Sequence, residues 1–202
     1  MDLSTTYLGL KLKHPLVVGA SPMVSDIDQV RRLEDAGAAA IVMHSLFEEQ
    51  LLLEESAQQA YVETMENASA EAMDYLPTAA DYVVGPDEYL EQIRKVKAAV
   101  KVPVIGSLNG ITNSGWLDYA SRIEQAGADA IELNVYSMPT GADDAAGTLE
   151  TRIVDMVKRV RGKVKIPVAV KLSPFFTSPV NVASQLVAAG VDGLVVFNRF
   201  YQ

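Results

Sequence analysis

Lys101-Val102-Pro103-Val104 returns as Lys165-Ile166-Pro167-Val168 sixty-four residues on, and Ala126-Gly127-Ala128 returns as Ala189-Gly190-Val191 sixty-three residues on. An earlier copy of the second unit is Ala36-Gly37-Ala38. Each Ala-Gly unit reads as the end of a helix, because glycine suits the left-handed position just past the last turn. Each Pro-Val unit reads as the start of a strand, where a missing N–H costs little. Two strand–helix units in about sixty-four residues is the rhythm of a β/α barrel.

The rest of the chain follows that rhythm. Thr5–Leu8 and Leu10–Lys13 predict an N-terminal β-hairpin turning at Gly9, and Leu16–Gly19 predicts the first barrel strand. Ser25 precedes a helix with Ile27, Val30 and Leu33 on its apolar face. Later strands are expected at Ala39–Met43, Val104–Leu108, Ala130–Asn134, Val168–Leu172 and Leu194–Asn198. Helices should open at Pro86, Ser114, Thr148 and Ser178. Residues 46–84 are too long for an ordinary connection and predict an insert at the active site. The expected fold class is α/β: a (β/α)8 TIM barrel cut off after about six βα units, because eight strands usually take about 250 residues. Residues 1–202 are then a single, incomplete barrel domain, an N-terminal fragment that should be inactive by itself. A flavodoxin-like open sheet is the competing architecture, and the hairpin and the insert do not suit it.

Composition removes several classes. Apolar residues make up 49% of the chain, too many for disorder. Without cysteine there is no disulfide, thiolate metal site, cysteine-ligated cluster or cysteine nucleophile. No His/Asp/Glu cluster has metal-ligand spacing, so no metal is expected. No apolar run suits a membrane span, and the start Met-Asp-Leu-Ser lacks a basic signal region, so a cytoplasmic protein is expected. The net charge of −9 argues against a nucleic-acid partner. From Leu33 to Ile93 there are fourteen acidic residues and no Lys or Arg. That window reads as a solvated insert, or else as an acidic docking face for a partner protein.

The candidate site lies at strand ends. Ala130-Ile131-Glu132-Leu133-Asn134 is an apolar strand that stops at an amide, with Ser137 and Pro139 just beyond. Pro167-Val168-Ala169-Val170-Lys171-Leu172 carries a lysine near its end, and Gly193-Leu194-Val195-Val196-Phe197-Asn198 ends in a second amide. In parallel α/β folds the carboxyl ends of strands are where ligands bind. Asparagine, lysine and asparagine on three strand tips predict a polar small-molecule ligand over a barrel mouth. His14, before a proline in the hairpin region, reads as structural. A strand-end lysine fits either a fixed cation beside developing charge or a Schiff-base nucleophile of a lyase or aldolase barrel. A non-catalytic degenerate barrel is the third possibility.

The order and spacing of several segments resemble the dihydroorotate dehydrogenase family, in its dihydroorotate dehydrogenase-like branch. They are Thr5-Thr6-Tyr7-Leu8-Gly9-Leu10-Lys11-Leu12-Lys13-His14-Pro15-Leu16, Gly19-Ala20-Ser21-Pro22, Glu132-Leu133-Asn134, Val170-Lys171-Leu172-Ser173-Pro174 and Phe197-Asn198. The resemblance implies an FMN-dependent oxidoreductase of pyrimidine-metabolism type that oxidises a CH–CH bond next to a carbonyl. It implies that Ala20, Ser21, Asn109, Asn134, Lys171 and Asn198 hold FMN, with Lys171 stabilising negative charge on the reduced ring. It implies substrate contacts from His44, Ser45 and Asn134, and catalytic roles for Ser137 and Lys171. A homodimer or an electron-transfer partner protein is the implied macromolecular partner. In the family the FMN phosphate is held after the last two strands, so this stretch alone should bind FMN weakly.

The departures are as informative. Where the family has a Lys-Ser pair, this chain has His44-Ser45. Where the family has an orotate-binding asparagine before a Gly-Leu-Pro, this chain has Asp74 before Leu76-Pro77. The loop after Asn134 is one residue longer, so counting back from Pro139 puts Met138 at the base position, and counting forward puts Ser137 there. The flavin half of the site looks kept and the dihydroorotate half altered.

Overall fold

The computed structural model describes residues 1–49, 86–110, 112–135, 141 and 145–197. The hairpin comes first, with β1 at Thr5–Tyr7 and β2 at Leu10–Leu12 paired antiparallel. Its turn uses Leu8 and Gly9 at positive φ. His14 is structural here, since its Nδ1 accepts the Leu16 N–H at 3.2 Å. The expected first barrel strand is reduced to a bridge between Val18 and Ile41, flanked by bonds from Val18 N–H to Ala40 and from Val42 N–H to Val18. A 3-10 turn at Pro22–Val24 leads into helix α1, Ile27–Asp35, capped by the Asp26 side chain rather than by Ser25.

Strands β3 (Ile41–Phe47), β4 (Val104–Asn109), β5 (Ala130–Asn134), β6 (Val168–Leu172) and β7 (Gly193–Val196) form one parallel sheet in sequential order. Between them run α2 (Pro86–Ala99), α3 (Asn113–Gln125), α4 (Ala146–Lys163) and α5 (Pro179–Ala188). Sequential order with a helix between neighbours puts all helices on one face, because such crossovers share one hand. The core bears this out: Val30, Ile93, Ile123, Val157 and Leu186, one from each of α1 to α5, join Met43, Leu108, Ile131 and Leu172 in one cluster. A flavodoxin-like sheet would reverse its strand order and cover both faces. The architecture is that of a β/α barrel, of which the described residues supply the parallel arc. The second barrel strand extends to Phe47, so the start of the expected 46–84 insert is still strand; positions 50–84 lie outside the described residues.

On the opposite, inner face, Leu8 and Leu12 of the hairpin pack with Val42, Ile105, Ala130 and Ala169. The hairpin therefore plugs the inner face from below. Gly193 permits that approach, since a Cβ there would meet Leu8 Cδ2 at 2.6 Å.

The sequence repeats have polar counterparts at the amino ends of the strands. Asp129 accepts from the Val104 N–H at 2.7 Å and from Lys97, and its own N–H bonds Val104 O. Asp192 repeats this on Val168, with Arg161 as the cation. Glu34 accepts the N–H groups of Lys101 and Val102, and Glu124 those of Lys165 and Ile166.

Candidate active site

Strand alternation builds the site. In β5 the side chains of Ile131 and Leu133 face the helices, so Ala130, Glu132 and Asn134 face inward. Register then aligns Ser45, Ser107, Glu132 and Ala169 across one inner row, and Asn134 with Lys171 in the next row up. Going from the plug towards the carboxyl ends, the lining changes from aliphatic to polar. Ser107, Glu132 and Asn134 are all buried. Ser45 Oγ and Ser107 Oγ are 2.8 Å apart. The Lys171 ammonium bends back one row to form an ion pair with Glu132, with side-chain exposures of only 12% and 5%. Asn134 Oδ1 is buried and has no hydrogen-bond partner among the described residues. An unmatched buried acceptor beside a fixed cation suits a ligand that brings its own N–H and C=O groups.

The charge of Glu132 is felt around it. Burial, and then the Glu132 carboxylate, push the Tyr7 phenol up to about 12. Tyr89 is raised further, by burial first, and Glu132 adds to the rise. Both phenols are therefore neutral hydrogen-bonding groups at ordinary pH.

The expected site residues fare differently. Lys171, Asn134 and Ser45 come together on the inner face, and Asn109 ends β4 opposite Phe47. Ala20 packs against the inner cluster, and Ser21 follows it into the 3-10 turn. His44 does not join Ser45. The register slips between Val42 and Ser45, so one extra β3 residue faces β4. This bulge returns Ser45 to the inner face and turns His44 outward, where its ring meets Tyr89 of α2 edge-on at 5.1 Å. Burial lowers the His44 pKa, which keeps the ring neutral near pH 7. Ser137, Met138, Asp74 and Asn198 lie outside the described residues.

One site component was missed, and so was one structural acid at the carboxyl end of β3. Glu132 was visible only as part of a motif; the signal was a lone acid two positions before Asn134, hence on the same strand face. Glu48, just past β3, is 3% exposed and accepts the Thr112 N–H at 2.9 Å. It seats on the start of α3, and Gly115 leaves it room, since a Cβ there would lie 2.0 Å from Glu48 Oε1. Among the described residues no group of three His, Cys, Asp or Glu could hold a metal, and no helix is long and apolar enough to cross a membrane.

Comparison with known proteins shows the family of this chain. The family model described as dihydroorotate dehydrogenase matches residues 2–201. The chain is 31% identical over 201 residues to the catalytic subunit of dihydroorotate dehydrogenase B (NAD(+)) from Methanocaldococcus jannaschii, covering 97% of this chain and 62% of that protein. It is 29% identical to the corresponding subunit from Thermoplasma volcanium, covering 98% of this chain and 62% of that protein. It is 23% identical to the chloroplastic dihydropyrimidine dehydrogenase (NADP(+)) of Arabidopsis thaliana, covering 98% of this chain and 48% of that protein. The chain thus spans about 62% of the length of the first two relatives. Among solved structures it resembles a dihydrodipicolinate synthetase from Pseudomonas aeruginosa, with TM-score 0.52, 17% identity and coverage of 89% of this chain and 52% of that one. At that identity the likeness concerns the fold alone.

Proposed function

The chain belongs to the dihydroorotate dehydrogenase family, and from that premise we propose that it forms the flavin-facing part of an oxidoreductase acting on a CH–CH bond next to a carbonyl. The observation that carries the reading is the pair at the barrel mouth: Asn134 Oδ1, buried and unmatched among the described residues, in register with Lys171. The residues present fit FMN, whose chemistry when bound is to accept the hydride. Lys171 supplies a fixed cation for the ring edge, and Asn134 and Asn109 supply hydrogen-bonding amides. The Ala20–Ser21 backbone would lie against the ring, and Asn198, outside the described residues, would add a further amide. Ser45 and Asn134 orient the polar edge of the substrate, and Ser137 takes the proton from the substrate carbon. His44 has no part in this reading.

On this reading residues 1–202 are a single incomplete barrel domain, and the part of the 46–84 stretch that follows β3 is an insert of the active site. A catalytic-subunit description among the relatives supports an electron-transfer partner protein. A Schiff-base mechanism is disfavoured, because Lys171 Nζ is engaged by Glu132, whereas such a nucleophile attacks as a free amine. The test is the visible spectrum of the full-length protein. We expect a yellow protein with the absorbance of non-covalent FMN; a colourless preparation that does not take up added FMN overturns the reading.

A further inference from the structure

Resting on that flavin-binding reading, we propose that Glu132 is a positioning residue for Lys171: its carboxylate fixes the direction of the ammonium and offsets its charge, so that the barrel mouth presents an oriented, nearly neutral donor pair instead of a bare cation. A carboxylate in the middle of a barrel strand needs a reason, since burial of an unpaired charge is costly. Glu132 is 4% exposed, and its neighbours across the row are Ser107 and Ala169, neither of them charged. Tyr7 and Tyr89, whose phenols sense its charge, stay neutral. Its cationic partner is Lys171, whose Nζ is in direct contact with Oε1. No backbone N–H of the described residues donates to this carboxylate, unlike Glu34, Glu48 and Glu124, each of which accepts at least one.

The geometry also explains why a lysine needs such a partner. Lysine is a point charge on a flexible four-carbon stem, with no built-in direction. The β6 backbone is fixed between Val170 and Leu172, both in the core, but nothing in the stem itself aims Nζ. Glu132, one row below on the adjacent strand, supplies the aim. A cation beside an electron-accepting ring favours its reduced, more negative form, and a carboxylate bound to that cation moderates the effect. Glu132 would therefore act on the ring through Lys171, as a setting of its reduction potential.

The experiment uses the full-length protein with Glu132→Gln, Glu132→Asp, Lys171→Ala and the Glu132→Gln/Lys171→Ala double variant. On flavin-free protein at one pH, the rate of Lys171 acylation by an amine reagent is followed by mass spectrometry. We expect Glu132→Gln to accelerate it several-fold and Glu132→Asp to fall between; an unchanged rate in both overturns the proposal. If Glu132→Gln does not fold, Glu132→Asp, which keeps the charge but shortens its reach, decides the same question. On flavin-loaded protein, Glu132→Gln should favour FMN reduction about tenfold, which is about 30 mV for a two-electron couple. The same substitution in the Lys171→Ala background should give a clearly smaller shift, because coupled residues are non-additive. An equal shift in both backgrounds makes Glu132 a through-space charge and overturns the positioning role. If the unsubstituted protein takes up no flavin, the flavin reading falls, and the acylation rates alone decide whether Glu132 positions Lys171.

Discussion

At the scale of single residues, alternation along a strand was the readable code, and the bulge in β3 was where it failed. Asn134 and Lys171 could be placed from sequence because Ile131, Leu133, Val170 and Leu172 alternate with them without interruption. In β3 the same alternation would put Val42 and His44 on one face, yet the register slip puts Val42 and Ser45 there. No residue in Met43-His44-Ser45 announces that slip. Its support comes from Tyr89, more than forty positions away, whose hydroxyl donates to Ser107 O and accepts the Ser107 N–H, both at 3.0 Å. That hydroxyl stands in for the ladder bonds the bulge disrupts. Tyr89→Phe should therefore leave a buried N–H and C=O unmatched and cost about 1–3 kcal/mol. The check is the urea midpoint of unfolding, and an unchanged midpoint would mean that the β4 ladder closes without the phenol. Lys171→Ala is a different kind of test. Loss of one preorganised charge at a reacting ring typically costs about 100-fold in rate, so flavin reduction by substrate in single-turnover experiments should slow by about that factor. An unchanged reductive half-reaction would remove the lysine from the mechanism.

At the scale of elements, the Ala-Gly and Pro-Val repeats marked helix ends and strand starts because glycine and proline answer to backbone geometry alone. Gly37, Gly127 and Gly190 all take positive φ just after their helices. The acids that accompany these repeats could not be given partners from sequence, since the partners lie on other elements. Asp129 and Asp192, each two residues past the glycine, tie the start of the preceding strand to a cation on the helix before it. The first copy has Ala39 at that position, and there the neighbouring strand is only a bridge. These ties sit at the amino ends of the strands, the end of a barrel that serves stability rather than chemistry. Asp129→Ala should lower stability by about 1–3 kcal/mol, chiefly through the orphaned Val104 N–H, since a partly exposed ion pair adds little. Asp192→Ala should match it through Val168. Both are read from denaturant midpoints, with flavin content per folded molecule unchanged. A loss of flavin out of proportion to the loss of stability would contradict the division of labour between the two ends of the strands.

At the scale of the whole molecule, the repeat length was enough to give a singly wound barrel, whereas the choice of substrate depends on how charge is distributed over its mouth. Dihydroorotate carries a carboxylate, and a site for it needs cations and amides that face inward. Here the Lys171 charge is engaged by Glu132, and His44, at the place of a family lysine, is neutral and packed outward against Tyr89. The window from Leu33 to Ile93 holds fourteen acidic residues and neither Lys nor Arg. By the resemblance Asp74 takes the place of a family asparagine, and a carboxylate at that place would repel a carboxylate. Each polar group of the substrate left without its partner costs about 1–3 kcal/mol, so two or three such losses reduce recognition by several orders of magnitude. We expect dihydroorotate to be a poor substrate of the full-length protein, and a neutral ring bearing an amide edge to be preferred. Steady-state kinetics with dihydroorotate, an uncharged dihydropyrimidine and an artificial electron acceptor provide the comparison. Turnover of dihydroorotate at ordinary flavoenzyme rates, with tight competitive inhibition by orotate, would show that cations outside the described residues complete the site.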